Sequence, residues 1–190
     1  RGIAGNVNAQ GIHYPPSLLK KALQTTSQTK IYRPDPQGQP VARRAVQKYY
    51  EGEGVPIPAD QIVMTPGTSV AYGYLFQLLA NSGDEILCPT PTYPLFDAIA
   101  ALCDVKLVSY RLVPKDRWTM DCDDLKNKIT QKTRAIVLIS PHNPTGAVAS
   151  EPEIQQLGQI AREYRLPIIA DEGFSPFLFN VKKLPRPATT

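Results

Sequence analysis

Residues 135–171 read AIVLISPHNPTGAVASEPEIQQLGQIAREYRLPIIAD, and this stretch decides the fold. Residues 135–139 are apolar throughout, as expected of a strand covered on both faces. Residues 151–164 read as a helix opened by the capping box Ser150-x-x-Glu153, in which hydroxyl and carboxylate satisfy orphan amides reciprocally. Residues 167–170 form a second apolar strand. Strand, helix and strand in this order imply a mostly parallel, twisted sheet with helices on both faces. In such a sheet, ligands bind at the carboxyl ends of the strands.

The same alternation extends outward. Residues 62–64, 86–88 and 106–110 read as further strands, and residues 69–80, 94–102 and 121–132 as the helices between them. Upstream, residues 16–23 and 41–50 are helix candidates separated by the Pro/Gly/Gln-rich stretch 33–40. No internal repeat is visible. The 190 residues suffice for a sizeable core. The hydrophobic share of 42% against 20% charged excludes a disordered chain. The 19 prolines lie mostly between apolar runs and punctuate loops and helix starts.

Lys plus Arg is 21 and Asp plus Glu is 17, a net charge of +4. That excess is thinly spread, so no nucleic acid and no acidic membrane surface is expected as partner. The longest mostly apolar stretch, 70–80, is too short to span a bilayer. Cys88, Cys103 and Cys122 contain no Cys-x-x-Cys pair, and His13 and His142 lie far apart, so no metal site is expected. This cysteine usage fits a reducing, cytoplasmic compartment. The chain opens at Arg1 without a methionine and stops in a loop-like 187–190, which reads as a piece of a longer protein.

Four constellations follow strands directly. Met64-Thr65-Pro66-Gly67-Thr68-Ser69 offers a glycine, two hydroxyls and a helix start, an anion site suited to phosphate. The same residues also read as a plain N-cap at Thr68 or Ser69. No Rossmann or Walker glycine fingerprint is present. Cys88-Pro89-Thr90-Pro91-Thr92-Tyr93-Pro94 is a proline-stiffened loop holding Tyr93, to stack on a planar ligand or to pack on the core. Asn143 stands between prolines in Ser140-Pro141-His142-Asn143-Pro144-Thr145-Gly146, a fixed amide or a tight turn, or both. Asp171 ends an apolar strand, where an unpaired carboxylate is costly, and needs a cation, a metal or several donors.

Their order and placement are more specific than any one of them. Together with Tyr32-Arg33-Pro34-Asp35-Pro36-Gln37-Gly38 (Arg43 behind it), Gly83-Asp84-Glu85-Ile86-Leu87 and Asp171-Glu172, they resemble fold-type I pyridoxal-phosphate (PLP) enzymes, specifically the class I/II aminotransferases. The resemblance covers nearly the whole chain. It implies a three-layer α/β/α fold, with residues 1–14 as an N-terminal segment and 15–190 as an incomplete PLP-binding large domain. It also implies amino acid and 2-oxo acid substrates. Gly67, Thr68 and Ser69 match the loop that holds the cofactor phosphate. Tyr93 matches the aromatic stacked on the pyridine ring, Asn143 the amide bonded to the ring hydroxyl, and Asp171 the carboxylate paired with the protonated ring nitrogen. Tyr32 matches a tyrosine reaching the phosphate of a neighbouring subunit, which implies a homodimer.

Two departures stand out. Phe174 occupies the place of a tyrosine whose hydroxyl also bonds the ring hydroxyl. The lysine that binds the cofactor covalently has no match, because Lys182 and Lys183 lie in a charged, proline-flanked stretch and read as solvated. No catalytic lysine is therefore expected in this chain. Other reactions on the same scaffold, such as C–S lysis, decarboxylation or cyclopropane formation, use the same residues. So does a non-catalytic PLP-binding effector domain of a transcription regulator. A doubly wound nucleotide-binding domain is disfavoured by the missing glycine fingerprints.

Overall fold

The computed structural model describes residues 9, 11, 13–24, 31–179 and 182–187. Five strands form one sheet: β1 (Glu85–Thr90), β2 (Lys106–Val113), β3 (Thr119–Met120), β4 (Thr133–Ile139) and β5 (Ile168–Asp171), in the order β3-β2-β1-β4-β5. All neighbouring pairs are parallel except β2 with β3. Among the described residues six α-helices accompany them: α1 (Pro16–Gln24), α2 (Pro40–Gly52), α3 (Thr68–Leu79), α4 (Phe96–Leu102), α5 (Cys122–Asn127) and α6 (Glu151–Tyr164).

Strand pleating divides the core into two layers. Ile86, Cys88, Ala135, Val137 and Ile139 turn one way and meet Tyr72, Phe76, Phe96 and Ile99 of α3 and α4. Leu87, Ile136 and Leu138 turn the other way and meet Leu125, Ile154 and Leu157 of α5 and α6. Burying each large aliphatic or aromatic side chain contributes roughly 1.5–3 kcal/mol. The central strands β1 and β4 are therefore the rigid base from which the loops rise, as the three-layer expectation requires.

Two expectations are corrected, and one strand is added. Residues 62–64 do not form a strand. They run extended, with Val63 and Met64 exposed, and the Met64 amide donates to the Gln37 carbonyl at 2.8 Å without any ladder. Apolar, β-branched residues alone do not make a strand when no neighbour pairs with them. The helix expected over 121–132 ends at Asn127. Beyond it, the Thr130 and Thr133 side chains bind backbone amides, and the Thr130 hydroxyl donates to Glu85, bonds that compete with helix continuation. The two-residue β3 was too short to show a period. By contrast α6 starts and ends where the capping box and the pattern put it, and both capping-box bonds are present.

Candidate active site

The carboxyl ends of β1, β4 and β5 and the start of α3 surround a cavity of about 260 Å³. Thr68, Tyr93, Asn143, Asp171 and Phe174 all line it. Five of the eight residues singled out in the sequence thus meet at one place, although they are spread over more than a hundred residues of chain.

Each arrives for a local reason. Gly67 is the N-cap of α3, and no side chain caps that end, so neither Thr68 nor Ser69 is the cap. The first-turn amides are left available at the positive end of the helix. A Cβ at Gly67 would meet nothing within 4 Å, so packing does not demand the glycine and the space beside the helix start is open. Ser69 is half-buried in the first turn of α3 but does not line the cavity. Tyr93 is half-buried, its ring edge-on to Phe96 at 6.4 Å. It combines both readings of the loop, packing on the core and facing the cavity.

Asn143 sits in the turn after β4, where the Gly146 amide donates to the His142 carbonyl at 2.7 Å. The His142 ring is buried, with Nδ1 2.8 Å from the Thr145 hydroxyl, and burial lowers its pKa. The ring is therefore a neutral spacer under the turn. The Asn143 amide itself makes no hydrogen bond among the described residues and remains free for a ligand. Cys88, beneath the Tyr93 loop, is buried and its thiol is pushed up to about 12, so it is no nucleophile.

Asp171 ends β5. Its Oδ1 accepts from the Gly173 amide at 2.8 Å, and its Oδ2 accepts from the Tyr72 hydroxyl at 2.7 Å. These two donors answer the need of a carboxylate at the end of an apolar strand. Among the described residues no three His, Cys, Asp or Glu side chains gather to hold a metal ion. Tyr72 was not singled out in the sequence, because its partner lies 99 residues away and nothing local marks it.

Phe174 borders the cavity at 47% exposure and offers no hydroxyl. Tyr32 is not brought to the cavity and stands 89% exposed. Lys182 and Lys183 are exposed and do not line the cavity. No helix among the described residues is long and apolar enough to cross a membrane.

A carboxylate, a free amide, an aromatic wall and a helix start without a side-chain cap converge at strand ends of an α/β fold of the fold-type I class. Residues 4–187 match the family Aminotransferase class I and II, and the chain belongs to it. Enzymes of this family are PLP-dependent. The chain is 36% identical over 177 residues to the glutamate-pyruvate aminotransferase AlaA of Escherichia coli K12, covering 93% of this chain and 44% of that protein. It is 34% identical over 181 residues to the tyrosine aminotransferase of Dictyostelium discoideum, covering 95% and 42%. Among solved structures, alanine aminotransferase from Pyrococcus furiosus superposes with a TM-score of 0.86 at 32% identity, covering 94% of this chain and 46% of that one. The chain thus spans less than half the length of the curated relatives it matches.

Proposed function

We propose that these 190 residues are the cofactor-holding part of an aminotransferase that moves an amino group between an amino acid and a 2-oxo acid. The observation that carries the reading is Asp171, its two oxygens each accepting from one donor, sharing one cavity with Asn143, Tyr93 and Thr68. The α3 amides, with the Thr68 and Ser69 hydroxyls and the open space at Gly67, suit the phosphate. Tyr93 would cover the ring face, Asn143 donate to the ring hydroxyl, and Asp171 hold the proton on the ring nitrogen. PLP, when bound, supplies an electron sink for the charge that develops on the substrate carbon.

Residues 1–14 serve as an N-terminal segment and 15–190 as part of the large domain. The lysine that binds the cofactor and the arginine that binds the substrate carboxylate belong to sequence outside this chain, so the 190 residues alone do not transaminate. Exposed Tyr32 fits a role in a partner's site within a homodimer, and the setting is cytoplasmic. The relatives named for alanine and for glutamate and pyruvate point to small amino acids and their 2-oxo acids.

The full-length protein, supplied with PLP, alanine and 2-oxoglutarate, is expected to form pyruvate. Asp171→Ala should cut turnover by about a hundredfold or more, the size seen when a preorganised electrostatic partner is removed. No turnover with any amino acid and 2-oxo acid pair, or near-normal activity of Asp171→Ala, would contradict the reading.

A further inference from the structure

We propose that Tyr72 is a positioning residue for the cofactor site, holding the Asp171 carboxylate in the orientation from which it can grip a protonated ring nitrogen. The inference rests on the PLP reading given above and assigns a role within it to a residue of α3.

Tyr72 lies one helical turn beyond Thr68, so its side chain rises from the same face of α3 as the cofactor-facing helix start. It is 4% exposed, and its hydroxyl donates to Asp171 Oδ2 at 2.7 Å. A phenol buried this deeply requires a partner, and Asp171 supplies it. The ring has little freedom to swing away. Phe96 meets it edge-on at 4.5 Å between centroids, and Phe76 flanks it at 5.9 Å. The direction of donation is therefore set by packing in the apolar layer.

The opposite oxygen, Oδ1, accepts from the Gly173 amide at 2.8 Å. With both oxygens tied, the carboxylate cannot rotate about its terminal torsion. Each oxygen can still accept one further hydrogen bond, so the two ties orient the group without saturating it. Thr68, Tyr72, Asp171 and Gly173 also border a second cavity of about 410 Å³ beside β5. Tyr72 and Asp171 border both this space and the 260 Å³ cavity, so their hydrogen bond lies where the two meet. Burial and the Asp171 charge push the Tyr72 hydroxyl far above the ordinary tyrosine range. It therefore stays a donor at every working pH.

Donation to a carboxylate lowers its appetite for a proton. Without Tyr72, the proton shared between Asp171 and the ring nitrogen shifts toward the carboxylate, and the ion pair that holds the ring weakens. The test uses full-length protein and PLP labelled with ¹⁵N at the ring position. In the wild type, the bound ring-nitrogen signal should lie at the protonated position. Tyr72→Phe should weaken PLP binding about tenfold or more, the size of one lost hydrogen bond to a charged group, and move the signal toward the unprotonated position. Phe76→Leu, a packing change in the same helix that keeps the hydroxyl, should leave the signal in place.

A second measurement needs no variant. The ¹³Cζ resonance of Tyr72 in tyrosine-labelled protein should shift when PLP is added, because its acceptor then takes a second donor. Tyr72→Phe with wild-type affinity and signal, an equal signal change in Phe76→Leu, or an unmoved ¹³Cζ resonance would each overturn the proposal. Those outcomes leave PLP binding by the wild type intact. Failure of the wild type to bind PLP at all would instead overturn the cofactor reading, and this proposal with it.

Discussion

Asp171 and Phe174 lie three residues apart at the same strand end, yet they bring opposite chemistry to the cavity they share. Asp171 offers a carboxyl group oriented by Tyr72 and Gly173, whereas Phe174 presents only an apolar edge, 6.4 Å from Phe177. With Asn143 the donor available to the ring hydroxyl, Phe174→Tyr would add a second. A charge-assisted bond contributes about 1.5–3 kcal/mol, and one pKa unit corresponds to about 1.4 kcal/mol. In the full-length protein, that substitution should therefore lower the pKa of the bound cofactor chromophore by about one unit or more, read by absorbance titration. An unchanged or higher value would show that position 174 does not face the ring hydroxyl. Single residues were the most legible part of the sequence where a strand end exposed them, as at Asn143 and Asp171. Tyr72 was illegible, because a buried tyrosine in an apolar helix has the same local signature whether its hydroxyl meets a carboxylate or a carbonyl.

The elements divide their labour between the two ends of the sheet. At the amino end of β1, Arg134 Nε lies 2.9 Å from Asp84 Oδ2, the Thr130 hydroxyl donates to Glu85 at 2.6 Å, and Lys106 reaches Glu85 at 3.2 Å. The hydrogen bond from Arg134 holds Asp84 below the usual carboxylate range, and that from Thr130 does the same for Glu85. A carboxylate whose folded-state pKa is depressed stabilises the fold above its unfolded value, and that contribution is lost as pH falls through the folded value. The thermal midpoint should therefore drop as pH falls from about 5 toward about 2. Asp84→Asn combined with Glu85→Gln should flatten that dependence and cost several degrees at neutral pH. A pH profile unchanged by the double substitution would show that these contacts do not couple to folding. Elements with a strong period or a cap, such as α6 and β4, were legible to within a few residues. Residues 62–64 carry strand propensity, which says nothing of whether a pairing neighbour exists, and the end of α5 is hidden from the sequence because the Thr130 bonds that stop it reach across to β1.

At the scale of the whole molecule, two apolar layers fix β1, β4 and β5 side by side and so fix the spacing of the loops that follow them. The three-layer plan was legible because β/α alternation admits few parallel arrangements. The role of Tyr32 was not, since its expected contact lies beyond this chain and the residue stands exposed. The opposite face of the sheet carries a larger groove of about 580 Å³, bordered by Trp118 and Glu153, which lacks both Asp171 and the start of α3. That groove is the larger of the two, whereas the chemistry favours the smaller cavity at the strand ends. Hydrogen–deuterium exchange of the full-length protein with and without PLP decides between them. PLP held in the smaller cavity should slow exchange at residues 68–71, 92–96, 143–146 and 171–174, which is the expected result. Protection confined to residues around Trp118 and Glu153, with none at the start of α3 or at Asp171, would contradict it.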